Sequence, residues 1–190
     1  MTGTSTSRGI KPLPQIWKLL GIPADYAAVR HLPLQREPRK LVHIGRNPDG
    51  RSLRLTPPAA AAWRRMQAAA TQDGITLLPI SAYRSIARQT KIIREKLAAG
   101  QALVKILTLV AAPGCSEHHS GRALNLASLA DPELEERFAL TPEFRWLKRH
   151  AGRFGFHLSY PHRNPHGINY EPWHWCWQRR NSGDCAAKNT

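Results

Sequence analysis

Three cysteines in 190 residues are too few for a disulfide framework, so this chain has to hold its shape by burial. Acidic groups are also scarce: 13 Asp and Glu stand against 28 Lys and Arg, a formal net charge of +15. No stretch approaches the ~20 apolar residues of a membrane span. The polar start from Met1 to Lys18 lacks the ~7–15 apolar residues of a signal peptide, so the chain as written is expected either to stay in the cytoplasm, to leave by another route, or to lack a leader that is not part of this sequence. There is no repeat, no low-complexity tract and no internal linker, which leaves one domain with its own core. The basic residues are spread along the chain, with no dense block and no nucleic-acid motif. That charge is expected to attract polyanions in general, the acidic polymers of a bacterial envelope included, without specific nucleic-acid binding.

What is present suits a folded protein: 42% hydrophobic residues and six tryptophans. Residues 1–38 are Pro-rich and basic, with one apolar patch at Ile16, Trp17, Leu19 and Leu20. They read as an arm around a domain of residues 39–180, with 181–190 as a tail. Lys40 to Ile44 reads as a strand, Asn47-Pro48-Asp49-Gly50 as a turn, and Ser52 to Leu55 as the returning partner. Thr56-Pro57 opens a helix whose apolar face is Ala59, Ala62, Trp63, Met66 and Ala70, closed by Gly74. Ile75 to Ala82 is β-prone, and Ser85 caps a helix running to about Ala99. Ala123 to Leu126 is a short strand candidate, Thr141-Pro142 opens another helix, and Gly155 to Tyr160 and Ile168 to Trp177 read as late strands. Helices come early and strands cluster late, so the expected class is α+β: a single domain with a small antiparallel sheet and flanking helices. Cys115 and Cys176 flank two motifs, which leaves open a bridge between them or two half-buried thiols.

Those motifs carry the chemistry. His118 and position 125 lie seven residues apart and can meet at a metal if a turn at Gly121 returns the chain into a strand, with His174 as third ligand. Glu171, three residues before His174, suits a general base toward water attacking a carbonyl. Arg84 sits at a strand-to-helix junction where a cation can steady an oxyanion or a substrate carboxylate. A lone histidine is more often structural than a ligand, and each piece alone is weak.

Together the pieces resemble a family, the zinc D-alanyl-D-alanine carboxypeptidases of the VanY type. These belong to a larger group with lysostaphin-like peptidases and the hedgehog fold. The resemblance rests on Ser116-Glu117-His118, Gly121-Arg122-Ala123-Leu124-Asn125, Glu171-Pro172-Trp173-His174 and Tyr83-Arg84-Ser85, in that family's spacing over roughly residues 75–178. Gln89, Pro113-Gly114, Trp146-Leu147, Phe154-Gly155-Phe156 and Tyr160-Pro161 add to it. It implies a hedgehog- or DD-peptidase-like fold and one Zn²⁺ held by His118, position 125 and His174. It also implies Glu171 as catalytic base, Arg84 on the substrate or transition state, and Ser116 and Gln89 near the substrate. Trp173 would pack beneath the site, and His119 would be a supporting or surface residue. The implied substrate is a peptidoglycan stem peptide or its precursor, cut at a D-alanyl-D-alanine-type bond, with action on the cell envelope.

Asn125 departs from the pattern, which has Asp there. An amide oxygen is a neutral and weaker donor to Zn²⁺ than a carboxylate. Three readings follow: zinc held through the amide, Cys176 supplying the anionic ligand from the same strand face as His174, or a catalytically impaired chain that only binds cell-wall peptides. With Glu171, Arg84 and both histidines intact, the enzyme is the expectation.

Overall fold

The turn Asn47–Gly50 closes the first hairpin. Gly50 takes φ +76°, where a side chain would be strained, and Asn47 Oδ1 accepts from Arg51 N–H at 2.8 Å. The strands so joined, β1 (Val42–Arg46) and β2 (Ser52–Leu55), form a two-stranded antiparallel sheet. The computed structural model describes residues 12–179. The first eleven residues of the arm, the tail 181–190 and Cys185 lie outside them.

A second sheet carries the site. Strands β3 (Leu78–Ser81), β4 (Ala123–Ala127), β5 (Phe156–Leu158) and β6 (His174–Trp177) assemble in the order β3-β4-β6-β5, every pair antiparallel. All five residues of β4 are buried, as befits an inner strand. The six α-helices among the described residues are α1 (Leu13–Leu20), α2 (Tyr26–Val29), α3 (Pro57–Gln72), α4 (Ile86–Ala98), α5 (Leu103–Leu109) and α6 (Pro142–His150). Helix α3 begins on prolines after extended Thr56. Helices α4 and α6 carry side-chain caps: Ser85 Oγ accepts from Arg88 N–H and Thr141 Oγ1 from Phe144 N–H. Mixed helix and small antiparallel sheets are thus the fold class.

Two apolar clusters fill the interior. The first joins Ala59, Trp63 and Met66 of α3 to Leu124 and Leu126 of β4, Trp146 and Leu147 of α6, and Trp175 of β6. The second joins Ile16, Trp17 and Leu20 of α1 and Tyr26 of α2 to Ile93 of α4, Ile106 of α5, Cys115, Tyr160 and Ile168. The part of the arm from residue 12 on is therefore built into a core. Trp17 Nε1 donates to Pro113 O at 2.8 Å, and Arg30 Nη1 donates to Gly167 O at 2.5 Å.

Several sequence expectations need correction. The strand expected over Ile168–Trp177 is only its last four residues, because Glu171-Pro172-Trp173 turns, with His174 N–H bonded to Glu171 O at 3.1 Å. Proline at 172 also has no N–H for a ladder. The strand expected from Gly155 shortens to Phe156–Leu158. Helix α5 was not foreseen in its short apolar run. Cys115 and Cys176 are both free and buried, so the bridge is absent. Cys115 packs in the second cluster, whereas Cys176 sits on β6.

Candidate active site

Backbone pairing brings the three expected ligands together. Asn125 on β4 and His174 on β6 are directly opposed in the ladder. Residues Glu117–Ser120 form one 3-10 turn, closed by Gly121 in the left-handed region at φ +65°, and this turn delivers His118 from above. Asn125 Oδ1 lies 3.1 Å from His118 Nε2 and 3.1 Å from His174 Nδ1. The two rings meet edge to face with centroids 5.0 Å apart.

The outward nitrogens of both rings are fixed. His118 Nδ1 lies 2.6 Å from the carbonyl of Ala82, which can only accept, so that nitrogen carries the proton. His174 Nε2 donates to Glu117 Oε2 at 2.9 Å. In the neutral rings, His118 Nε2 and His174 Nδ1 therefore aim lone pairs toward the same point as the amide oxygen. Three acceptors converge there without a donor among them, which is the chemistry of a cation site. Imidazoles held from behind by a carbonyl and a carboxylate are the usual support for zinc ligands. The residues present fit zinc, with a neutral third donor.

Around this trio lies a cleft of about 390 Å³ lined by Arg84, Gln89, Ser116, Tyr160, Glu171 and Trp173, among others. Glu171 is buried, with Oε2 3.6 Å from His174 Nδ1. Burial pushes its carboxyl above the ordinary glutamate range, against the pull of His174 and Arg84. Arg84 donates to Gln89 Oε1 at 3.0 Å and to Ser81 Oγ at 3.3 Å. Both acceptors are neutral, and among the described residues no carboxylate oxygen lies within 4.0 Å of its guanidinium. Burial lowers its pKa while Glu171 raises it. Gln89 is buried and its Nε2 donates to Ala111 O at 2.6 Å, so beside lining the cleft it holds Arg84 in place. Ser116 is buried at the cleft wall, and Trp173 lines the cleft at its edge.

The corner bearing Arg84 is stapled to the ligand turn three times: His118 Nδ1 to Ala82 O, Arg84 N–H to His118 O at 3.1 Å, and His119 Nδ1 to Arg84 O at 2.6 Å. His119 is fully buried and is no surface residue. Cys176 shares a strand face with His174 but gathers with Glu117, which holds His174 Nε2, and with His157, while Asn125 faces His174 Nδ1, so it does not replace Asn125. Sequence reasoning missed Glu117, although it sits inside the Ser116-x-His118 motif. The pattern leaves that middle position free, and only the 3-10 turn reveals that its carboxylate reaches His174. Tyr160, whose ring centroid lies 4.8 Å from that of His174, was noted only as a supporting match.

The chain is similar to known proteins in sequence and fold. YodJ of Bacillus subtilis is 38% identical over 120 residues, spanning 61% of this chain and 43% of that protein. A D-alanyl-D-alanine carboxypeptidase of Enterococcus faecalis is 32% identical over 117 residues, 56% of this chain and 42% of that protein. The chain thus spans less than half the length of these two relatives. Among solved structures, the LD-carboxypeptidase LdcB superposes with a TM-score of 0.67 at 31% identity, covering 77% of this chain and 74% of that one. A variant of the D,D-pentapeptidase VanY from a VanB-type resistance cassette, in complex with Zn(II), gives 0.58 at 26%, covering 77% and 86%. VanYB in complex with D-alanine-D-alanine gives 0.59 at 26%, covering 77% and 84%. The VanY family, described as D-alanyl-D-alanine carboxypeptidase, matches residues 52–180, and this chain belongs to it.

Proposed function

We propose that this chain is a zinc-dependent peptidase that hydrolyses D-alanyl-D-alanine-type bonds of peptidoglycan stem peptides. The carrying observation is the convergence of His118 Nε2, Asn125 Oδ1 and His174 Nδ1 beside Glu171 at the floor of one cleft. The reading is supported by family membership and by the Zn(II) and D-alanine-D-alanine complexes of the solved relatives. Its site of action would be the cell envelope, where such stem peptides are found.

His118, Asn125 and His174 would hold the ion through those three atoms. A zinc ion there supplies a Lewis acid for the scissile carbonyl and acidifies water at neutral pH. Glu171 takes the proton from the attacking water, and its raised pKa makes it a stronger base than an exposed glutamate. The same carboxyl can then pass that proton to the departing amine. Arg84 presents a cation without a carboxylate partner toward the cleft, where it can pair with the oxyanion or the peptide's terminal carboxylate. Glu117 keeps the His174 ring in one tautomer and adds basicity to it. Intact Glu171 and Arg84 favour the enzyme over a chain that only binds peptides.

Release of D-alanine from a stem pentapeptide by the zinc-loaded chain is the test, with Glu171→Gln beside it. Loss of about 10²–10⁴-fold in turnover with an unchanged fold is expected. Undiminished turnover in the variant would sink the base assignment, and no release by the unmodified chain would sink the reading.

A further inference from the structure

Behind His174, on the edge of the ring that faces away from the cleft, lies a second group of potential ligands. His157 on β5 and Cys176 on β6 are directly opposed cross-strand partners, and Glu117 reaches them from the 3-10 turn. One ligand atom from each lies within 4.8 Å of the other two. We propose that Glu117, His157 and Cys176 form a second cation site, bearing a thiolate and suited to a borderline or soft divalent ion such as zinc or cadmium.

The donor set distinguishes this site from the first. Bonds of about 2.3 Å to sulfur and about 2.0 Å to nitrogen or oxygen require the three atoms to close up slightly around an ion, which side-chain rotation permits. The two strands fix His157 and Cys176 against each other, so little order has to be created on binding. Glu117 uses Oε2 for both His174 and Ser159. Among the described residues the His157 ring has one hydrogen-bond partner, the amide of exposed Gln178 at 3.2 Å, which can withdraw into water. Glu117 and His157 are half-buried while Cys176 is buried, which gives an entry path from the solvent side and a dry sulfur at the bottom. Thiolate and imidazole together select zinc-like ions over magnesium or calcium. On binding, the sulfur–hydrogen bond of Cys176 is exchanged for a sulfur–metal bond and the proton leaves to solvent. The two sites then stand back to back through one imidazole, joined by the carboxylate of Glu117.

Cobalt(II) titration of the full reduced chain tests this. A thiolate-to-cobalt charge-transfer band in the near ultraviolet can arise only where sulfur binds, and the His118, Asn125 and His174 set has none. The band is expected in the unmodified chain, in Cys185→Ser and in His118→Ala, whose cleft site is disrupted. It should vanish in Cys176→Ser, with one equivalent of cobalt fewer, and need at least about tenfold more cobalt in His157→Ala. No band in the unmodified chain, or a band that survives Cys176→Ser, overturns the proposal. Failure of the peptidase reading would appear separately, as an absence of D-alanine release whatever the thiolate band shows.

Discussion

Asn125 and His174 stand opposite each other in adjacent strands, with Asn125 Oδ1 3.1 Å from His174 Nδ1. The ladder between β4 and β6 sets that separation, so the spacing of two of the three donors is a property of the sheet. What residue 125 chooses is the charge at that point, since an amide and a carboxylate place an oxygen at similar reach.

Asn125→Asp is therefore expected to tighten zinc binding by about tenfold or more, because a carboxylate adds an anionic donor to two neutral imidazoles. Competition against a chromogenic chelator measures it. An unchanged affinity would mean that the amide oxygen is not a ligand.

Glu117→Gln should weaken zinc binding in the cleft by about 10–100-fold, although Glu117 never touches that ion in the proposed arrangement. The carboxylate that now accepts from His174 Nε2 and from Ser159 becomes a neutral amide. Burial pushes the Glu117 carboxyl up, but the hydrogen bond and charge of His174 and the Ser159 hydroxyl bring it down to about 2. The same chelator competition reads the loss.

Turnover should depend on pH through Glu171. The base acts only when ionised, and burial raises its pKa above the ordinary ~4.3 of glutamate. Activity is therefore lost as pH falls through the pKa of this carboxyl, which gives kcat/KM an acid limb that belongs to Glu171. The same shift means this carboxyl favours the folded state when protonated, and that contribution is lost as pH rises through its folded pKa. Glu171→Gln should accordingly raise Tm at neutral pH, by about 2–4 °C for each kcal/mol recovered. The same acid limb persisting in the residual activity of Glu171→Gln would contradict this assignment.

Gly155→Ala should destabilise the chain by about 1–3 kcal/mol. The glycine has φ +82°, and a methyl there would meet Gln178 O at 2.8 Å, a backbone atom that cannot swing away. Urea unfolding followed by tryptophan fluorescence gives the value.

Much of this was legible in the residues because local rules and the site motifs coincide. The Thr56-Pro57 and Thr141-Pro142 helix starts, the Asn47–Gly50 turn and the Ser85 cap depend on neighbours in sequence, and each forms where its chemistry places it. His118, Asn125 and His174 were within reach because the motif spacing encodes a turn and a pair of strands. The rest depends on contacts far apart in the chain. Glu117 meets His174 across 57 positions, and His119 meets Arg84 across 35, and no periodicity announces such pairs. Strand ends at Ile168–Trp173 were misread because apolar and β-prone residues there serve a turn that must carry Glu171 into the cleft.

The VanY-family match begins at residue 52, yet Ile93, Ile106 and Ile168 lie under a roof made by residues that precede it. Arg30 Nη1 and His166 Nδ1 lace that roof to the loop leading into Tyr170 and Glu171, through Gly167 O and Arg30 O. A fragment trimmed to the shared region would therefore emerge with an oily flank and an unmoored base. For anyone dissecting this chain, residues 12–51 therefore belong with the working unit, although they precede the stretch that the VanY-family match marks.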